Sequence, residues 1–587
     1  MSLLTELTDL VSRAFLSDGL DGAYGDVVVS QRPELAQFQC NGALSAAKPA
    51  GRSPREIADQ VATKIAEDAR IKDVSVAGPG FINIVLTDAA IAASAQDVID
   101  AGDMGLPEIE PRAILVDYGG PNVAKPLHVG HLRPAIIGEA VKRLFRLQGH
   151  NVVGDVHLGD WGTPMGQLIN EIRIRMPDLP YFDETFSDPY PQDSPVTVAE
   201  LEEIYPAASQ RCKDDPNEAE NARRATLALQ NGRPGYRALW QHFRTVSVAA
   251  IKENYDELGV EFDLWYGESD VNDLLAPLIE RLVVNGYAEE SNGSLIVRVQ
   301  TEDDNREIPP LILAKSDGAT LYSTWDLATI EDRIQTLGIV EIIYIVDLRQ
   351  SLHFEQVFRV ARLAGIAGDD VILEHAGNGT VNGSDGTPLK TRTGGVKTLR
   401  SLLDEATESA MSQMDDRGLA AGYPDEERLA IAHTVGLAAV KFGDLSNHRE
   451  SNYTFDMNRF TSFDGKTGPY LLYGSVRMSS LLRRAGAEGV DAGGIVPPTY
   501  QAERTLLLVL ARFPEVIARA ASLRAPNHVA EYAYDVVAAY NRFYEQCHVL
   551  TEKDTDRRAG WVGLVAHSRA TLGQLLHVLG IEVPERM

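Results

Sequence analysis

The sequence predicts an α/β protein in which a parallel-sheet domain follows a small α/β unit and precedes an all-α domain. Three observations carry this. The apolar strand Ala113–Asp117, the periodic helix Gly130–Gln148 and the strand Val152–Val156 spell a β-α-β crossover, the seed of a parallel sheet. Short apolar runs at Ser294–Val299, Pro310–Ala314, Ile342–Val346 and Val371–Glu374 continue the parallel-strand pattern. From about Gly436 onward the spacing is helical, with apolar faces along Ala502–Leu523, Asn527–Leu550 and Arg557–Leu579.

The elements read in order as follows. Residues 1–107 form the small first unit. Within it Gln37–Lys48 reads as a surface helix, and Ser53–Ala69 as a helix with Ser53 as N-cap, Pro54 at the first helical position and Glu56 completing a capping box. Phe81–Leu86 alternates like an edge strand. A Gly- and Pro-containing join at Gly102–Pro111 leads into the central domain, residues 108–400. Its first helix buries Leu132, Ile136, Ile137, Ala140, Leu144 and Phe145, takes Pro134 in its first turn and stops at Gly149. Residues 172–270 open with the acidic, proline-rich stretch Pro177–Pro195 and read as an insertion. Residues 401–450 read as a helical connector, and 451–587 as the helical domain.

Composition narrows the class. With 587 residues the chain is too long for one core, and 44% hydrophobic with 24% charged residues is ordinary for a globular protein. A net charge of -29 excludes blanket electrostatic binding of nucleic acid, so such a partner needs local basic patches. Cys40, Cys212 and Cys547 lie far apart with no C-x-x-C, so neither a disulfide framework nor a thiolate zinc site is expected. No apolar run reaches about 18 residues and no basic stretch precedes an apolar core at the start, which predicts a cytoplasmic protein with no membrane span.

The chemistry concentrates in Pro121–Arg133, PNVAKPLHVGHLR, between the first strand and its helix. A helix N-terminus offers free N–H groups and partial positive charge to an anion. His128 and His131, three residues apart around Gly130, could both face one ligand there. The same pair would also suit a helix cap or a two-histidine metal site, although no cysteine or H-E-x-x-H arrangement lies near.

This segment resembles the HIGH motif of class I aminoacyl-tRNA synthetases, and with PNVAK before it and LR after it, it is similar to the arginyl family. The resemblance runs on through VHLGDWGTPMGQL (Val156–Leu168), LYSTWDLA (Leu321–Ala328), RQSLHFEQVF (Arg349–Phe358), LKTRTGG (Leu389–Gly395), LSNHR (Leu445–Arg449), GPYLLY (Gly468–Tyr473) and GIEVPERM (Gly580–Met587), in that family's order. It implies a Rossmann-type catalytic domain, an appended N-terminal domain that touches the tRNA elbow and an anticodon-binding C-terminal domain. It further implies ATP with Mg²⁺, arginine and tRNA(Arg) as substrates, and a monomer. Arginine would be adenylated and then passed to the terminal adenosine of the tRNA.

Residue by residue, the resemblance implies that His128 and His131 donate to the ATP phosphates and that Gly130 keeps space beside the helix start. Lys390 and Arg392 stand where the family carries its mobile KMSK loop. The pattern there is altered, and Lys125 is the residue that would compensate. Tyr322 and Asp326, one helical turn apart, would meet the substrate guanidinium. Asp117 and Asn122 would hold its amino and carboxylate end, Gln350 would line the same pocket, and His353 would lie close to the ATP. Phe38, Gln39 and Asn41 would touch the tRNA elbow. Tyr470, Tyr473 and Arg477 would meet unpaired bases and phosphates, with core packing an equal alternative for Tyr473. Gly119-Gly120 departs from the family's small hydroxyl-bearing pair and leaves only backbone N–H groups there. A cysteinyl-type relative would need a zinc site, for which the scattered cysteines give no ligands. A catalytically dead tRNA-binding relative would not need the histidines, Lys125 and Asp326. A small-molecule nucleotidyltransferase would leave the two flanking domains without a purpose.

Overall fold

The computed structural model describes residues 3–587 apart from 31, 33, 34, 103, 317–319, 384, 388 and 390–396. They form two compact units, one of Met1–Ile109, Ser412–Phe442 and Thr461–Met587, the other of Glu110–Met411 and Gly443–Phe460. No helix among the described residues is long and apolar enough to cross a membrane.

The first unit carries an antiparallel sheet of β1 (Val27–Val29), β2 (Phe38–Cys40), β3 (Ile71–Ala77) and β4 (Phe81–Leu86) in the order β1-β2-β4-β3. Strand β4 is therefore interior and not the expected edge. Its alternation comes from buried Asn83, whose side chain accepts a hydrogen bond from the cross-strand Gln39 at 2.8 Å. A satisfied polar pair inside a sheet looks like a solvated edge when only polarity is counted. Gln37–Lys48 is not one helix either: β2 comes first, and the helix Gly42–Ala50 follows. Gly42 is needed at that join, because a Cβ would fall 1.6 Å from the Tyr24 carbonyl oxygen. Ser53 caps the helix Pro54–Ile65, its Oγ accepting from the Glu56 N–H at 3.1 Å.

The helical part of this unit packs Gly468–Ala487, Gln501–Leu510, Phe513–Ser522, Asn527–Gln546 and Thr555–Val578. The long helix expected over Ala502–Leu523 is broken at Pro514, which sits in the first turn of the second piece. Pro514 has no N–H to give the Leu510 carbonyl, and the Tyr532 hydroxyl reaches that oxygen at 3.2 Å and the Val509 carbonyl at 2.8 Å, so the break leaves no orphan there.

In the second unit, β5 (Ala113–Tyr118) and β6 (Asn151–Asp155) come first, then β7 (Ala288–Ser291), β8 (Ser294–Val297) and β9 (Leu311–Ala314), then β10 (Glu341–Ile345) and β11 (Ile372–His375). The parallel sheet has the order β11-β10-β5-β6. Strands β8 and β9 do not join it as expected but pair antiparallel with β7 in a sheet of their own. The cause is the turn at Asn292 (φ 49°) and Gly293 (φ 78°), whose two positive φ values close a hairpin. Between β6 and β7 the chain runs through Val198–Asp214, Pro216–Gln230 and Pro234–Glu257, helices that bury Leu201, Leu229 and Phe243 in one cluster with Trp161 and Met165.

The helix Leu132–Leu147 lies so close on β5 that its Gly138 has no room for a side chain. A Cβ there would fall 2.2 Å from the Tyr118 ring. Tyr118 is fully buried, its hydroxyl donating to Glu139 at 2.8 Å, so the ring has nowhere to go. Gly138→Ala is expected to destabilise the protein by about 2 kcal/mol or more despite the helix-propensity gain of about 1 kcal/mol, read as a lower urea midpoint at unchanged slope.

Candidate active site at the carboxyl ends of the parallel strands

Strand β5 ends at Tyr118 and the chain turns through Gly119, at φ 81°. A Cβ on Gly119 would sit 3.0 Å from both the Phe262 ring and the Tyr255 hydroxyl, and that hydroxyl donates to the Gly119 carbonyl at 2.7 Å. Gly119 is thus the position where the turn needs glycine. Beyond it, His128 is the N-cap of a short 3₁₀ turn, Val129–His131, that runs into the helix Leu132–Leu147. His128 Nδ1 accepts the Gly130 N–H at 3.0 Å, and His131 Nδ1 accepts the His128 N–H at 3.1 Å. The rings lie 4.0 Å apart, centroid to centroid. Gly130 makes room for its neighbour more than for a ligand, since a Cβ would meet the His128 ring at 2.7 Å.

These bonds decide the protonation of the pair. A ring nitrogen that accepts from a backbone N–H carries no proton, so each neutral ring holds its proton on Nε2. Burial and then the nearby Lys125 ammonium push His128 down from the ordinary histidine range. His131 is pushed down to about 3 by burial first and then by His128. Both are neutral donors near neutral pH. The turn is stitched to the chain beyond residue 396: Val129 N–H donates to the Lys397 carbonyl at 3.1 Å and Leu399 N–H to the Leu127 carbonyl at 2.9 Å. Arg133 is buried against Asp444 at 3.2 Å and donates to the Ser451 carbonyl at 2.6 Å.

The two histidines line a cavity of about 410 Å³ with Gly119, Gly120, Asp347, Gln350 and the segment Asn378–Val381. That last segment was not singled out by sequence. Its signal was the G-N-G run, Gly377-Asn378-Gly379, directly after β11. Gly379 has to be glycine because a Cβ would lie 2.7 Å from the Glu450 carbonyl oxygen. The segment is held by Leu348 N–H on the Asn378 carbonyl at 2.9 Å and by pairing of Val381 with Tyr453.

The residues expected at the amino-acid end lie on β5, on the loop after it and on the helix Tyr322–Leu337. Asp117 is buried and accepts from Arg333 at 2.6 Å. Asn122 bridges to Gly159, which leaves no room for a side chain beside the Asn122 amide oxygen. Asp326, on the helix Tyr322–Leu337, accepts from His353 Nε2 at 2.5 Å. Tyr322, at the start of that helix, is 61% exposed and lines a cavity of about 360 Å³ with Glu268, Trp161 and Trp325. Two placements differ from expectation. His353, expected by the ATP, reaches Asp326, whereas Gln350, expected in the arginine pocket, lines the histidine cavity. The 3₁₀ turn Leu348–Gln350 ahead of the helix Ser351–Leu363 separates the two side chains.

Glu268 is the acid that sequence reading missed. It is buried, and its carboxyl is pushed up to about 8 by burial first, then by Asp160 and Asp326. Its loop is fixed by Asp160, which accepts from the Ser269 N–H at 3.0 Å, the Ser269 hydroxyl at 2.7 Å and Arg244 at 2.8 Å. The only sequence signal was an acid next to a glycine, Gly267-Glu268. Lys125 lies over the Tyr205 ring at 4.7 Å, following Ala124 at φ 64°. Lys390 and Arg392 lie outside the described residues. Asp117, Asp155 and His157 come close enough to offer a cation three ligand atoms, but the Arg333 guanidinium is already bonded to both aspartates.

In the first unit, Phe38, Gln39 and Asn41 line one cavity of about 640 Å³ together with Arg512 and Arg519. Phe38 is 6% exposed, so it offers little ring face to solvent, whereas Asn41 is exposed. Arg477 stacks over Tyr473 at 4.7 Å and Tyr544 at 5.3 Å and donates to Asn541 at 2.9 Å. Tyr470 is tied down through its hydroxyl, which accepts from Asn541 at 2.9 Å. Tyr544 joins the arginine, while its neighbours Tyr540 and Phe543 are core.

Comparison with known proteins agrees with this layout. Three family models match: tRNA synthetases class I (R), catalytic domain, over residues 98–457; DALR anticodon binding domain over 471–587; and arginyl tRNA synthetase N terminal domain over 2–86. The chain is 47% identical over 588 residues to a protein of Alkaliphilus oremlandii named arginine–tRNA ligase, covering 100% of each. It is also 47% identical over 589 residues to one of the same name from Hyphomonas neptunium, again covering 100% of each. In fold it is similar to arginyl-tRNA synthetase from Plasmodium falciparum (TM-score 0.81, 23% identity, 100% and 99% of the two chains) and from Thermus thermophilus (TM-score 0.78, 22% identity, 100% of both). A cavity headed by two histidines, family models that cover the chain and relatives that match from end to end assign the chain to the arginyl-tRNA synthetase family of class I.

Proposed function

We propose that this chain is an arginine–tRNA ligase whose nucleotide cavity is the one headed by His128 and His131. The arginine carboxylate attacks the α-phosphorus of MgATP, and pyrophosphate leaves with the electrons of the broken P–O bond. The 2′-hydroxyl of the terminal tRNA adenosine then attacks the adenylate carbonyl and AMP leaves. The first step is an in-line displacement, so the protein contributes positioning and donors for the loaded phosphate oxygens.

The observation that carries the reading is the pair of imidazoles whose Nδ1 atoms are both occupied by backbone N–H groups. Each ring offers Nε2–H as a fixed neutral donor, which needs no reorganisation as charge builds on the phosphate. Lys125 has to swing off Tyr205 to meet the same phosphates. Lys390 and Arg392 are assigned to pyrophosphate on sequence pattern alone. Asn378–Val381 and Gln350 supply the remaining nucleotide wall. Asp326, Glu268 and Tyr322 form the guanidinium end, with His353 holding Asp326 until the substrate arrives. Asp117 and Asn122 take the amino and carboxylate end. For tRNA, Asn41 and Gln39 serve the elbow with Phe38 as their packed base, and Tyr473 with Arg477 offers a stacking platform that Tyr470 braces.

ATP–pyrophosphate exchange with arginine, run with and without tRNA(Arg), tests the reading. Exchange absent under both conditions overturns it. His131→Ala is expected to lower exchange by about 100-fold or more while tRNA affinity stays unchanged. A parallel loss of tRNA affinity would count against the phosphate role.

Glu268 makes arginine binding depend on pH. With its carboxyl pushed up to about 8, the empty pocket holds it protonated near neutral pH. A bound guanidinium favours the carboxylate, so binding below about pH 8 expels a proton. KM for arginine is expected to fall by up to about tenfold per pH unit as pH rises towards that value and then to level off, with KM for ATP lacking the trend. In Glu268→Gln the slope should vanish, and a slope that survives removes Glu268 from the guanidinium site.

A further inference from the structure

Three neighbouring strands end in one row: Tyr344 on β10 is in register with Asp117 on β5, and Asp117 with Asp155 on β6. Across that row lies the side chain of Arg333, which is fully buried. Its Nη2 donates to Asp117 Oδ2 at 2.6 Å and to Asp155 Oδ2, and its Nη1 donates to the Tyr344 hydroxyl at 3.2 Å. Two buried carboxylates side by side do not both stay ionised without a cation between them. Of the groups around them, His157 is another basic one: its backbone N–H donates to Asp155 Oδ1 at 3.4 Å, but its ring Nδ1 stays 4.0 Å from Asp155 Oδ2 and makes no hydrogen bond among the described residues.

Arg333 belongs to the helix Tyr322–Leu337, which also carries Tyr322 and Asp326. It follows Asp326 by about two helical turns and so points to the same side. One helix thus carries the acceptors assigned to the substrate guanidinium and the donor that grips the carboxylate assigned to its amino group. An ion pair serving only stability would not need to come from that helix or to engage that aspartate.

We propose that Arg333 is a positioning residue for the substrate amino end: its planar fork fixes the Asp117 carboxylate across three strand ends and sets its distance from Asp326. The inference rests on the assignment of Asp117 to the amino group. Arg333 touches no substrate and acts through Asp117. A lysine in its place would keep the charge but lose the fork that reaches two acids and a hydroxyl at once.

The test is steady-state exchange kinetics on R333Q/D155N, which removes the cation together with one of its two acids and leaves no added buried charge. The expected result is a cooperatively folded protein whose KM for arginine is raised about tenfold or more, the scale of one lost bond to a charged group, with KM for ATP unchanged. An unchanged KM for arginine, or equal rises for arginine and ATP, overturns the proposal. If the double variant does not fold, R333K supplies the same comparison: a rise confined to the arginine KM supports the positioning role, and no rise overturns it. D117N separates this inference from the reading beneath it. If D117N leaves the arginine KM unchanged, the assignment of Asp117 falls and the proposal with it. If D117N raises the arginine KM while the Arg333 variants do not, the Arg333 link alone falls.

Discussion

The site depends on a crowd of buried acids at the carboxyl ends of the parallel strands. Asp117, Asp155, Asp160 and Glu268 are all buried, and Asp326 is close enough to Glu268 to help push its carboxyl up to about 8. Carboxylates in such a place are costly unless cations and donors meet them. The chain supplies some of these itself: Arg333 for Asp117 and Asp155, Arg244 for Asp160, and His353 for Asp326. Among the described residues Glu268 makes no ion pair, and it keeps its proton instead. An acid left in that condition beside a tyrosine and an aspartate favours a cation, and that imbalance is what supports the arginine site proposed there.

The nucleotide end solves the opposite problem. Beside the permanent cations proposed at Lys125, Lys390 and Arg392, the phosphates need donors that answer the charge developing on them, since only interactions that strengthen in the transition state accelerate the chemistry. Neutral imidazoles with their Nδ1 atoms locked by backbone N–H groups meet that requirement. Burial lowers the pKa of both rings, and the Lys125 ammonium opposes a second positive charge beside it. The two ends therefore use burial in the same direction, towards neutrality, but for different ends: a protonated acid that will release its proton to a cation, and unprotonated bases that remain donors.

What was legible in the sequence follows from how local each feature is. The β5–loop–helix unit with His128 and His131 could be read because its order, cap and glycine are contiguous. The C-terminal helices could be read because helical periodicity is a short-range signal. Strand partners were not legible. The runs at Ser294–Val299 and Pro310–Ala314 have the same apolar character as the parallel strands, and only the Asn292–Gly293 hairpin sends them to another sheet. The interior place of β4 was hidden because Asn83 is satisfied by Gln39 across the sheet. Within the site, Tyr322 and Asp326 sit on one recognisable motif. Glu268 is brought to them by a long excursion through the insertion, and nothing local in Gly267-Glu268 reports that arrival. Arg333 was missed for the same reason, since its partners lie on three separate strands.

The acid crowd also sets how well the pocket can tell arginine from lysine. Each hydrogen bond from a charged donor to a buried carboxylate contributes about 1.5–3 kcal/mol, and an acid left unpaired keeps its full desolvation cost. A guanidinium has five donors in a fixed plane and can face Asp326, Glu268 and the Tyr322 hydroxyl together, whereas an ammonium is a compact point of charge on a shorter reach. Losing one such bond gives roughly 10- to 100-fold discrimination, and losing two multiplies it. On the proposed assignment, a site built to pair every acid rejects lysine by leaving one of its own groups unsatisfied, at the binding step, where the substrate would displace His353 from Asp326 and draw the proton from Glu268 before anything reacts.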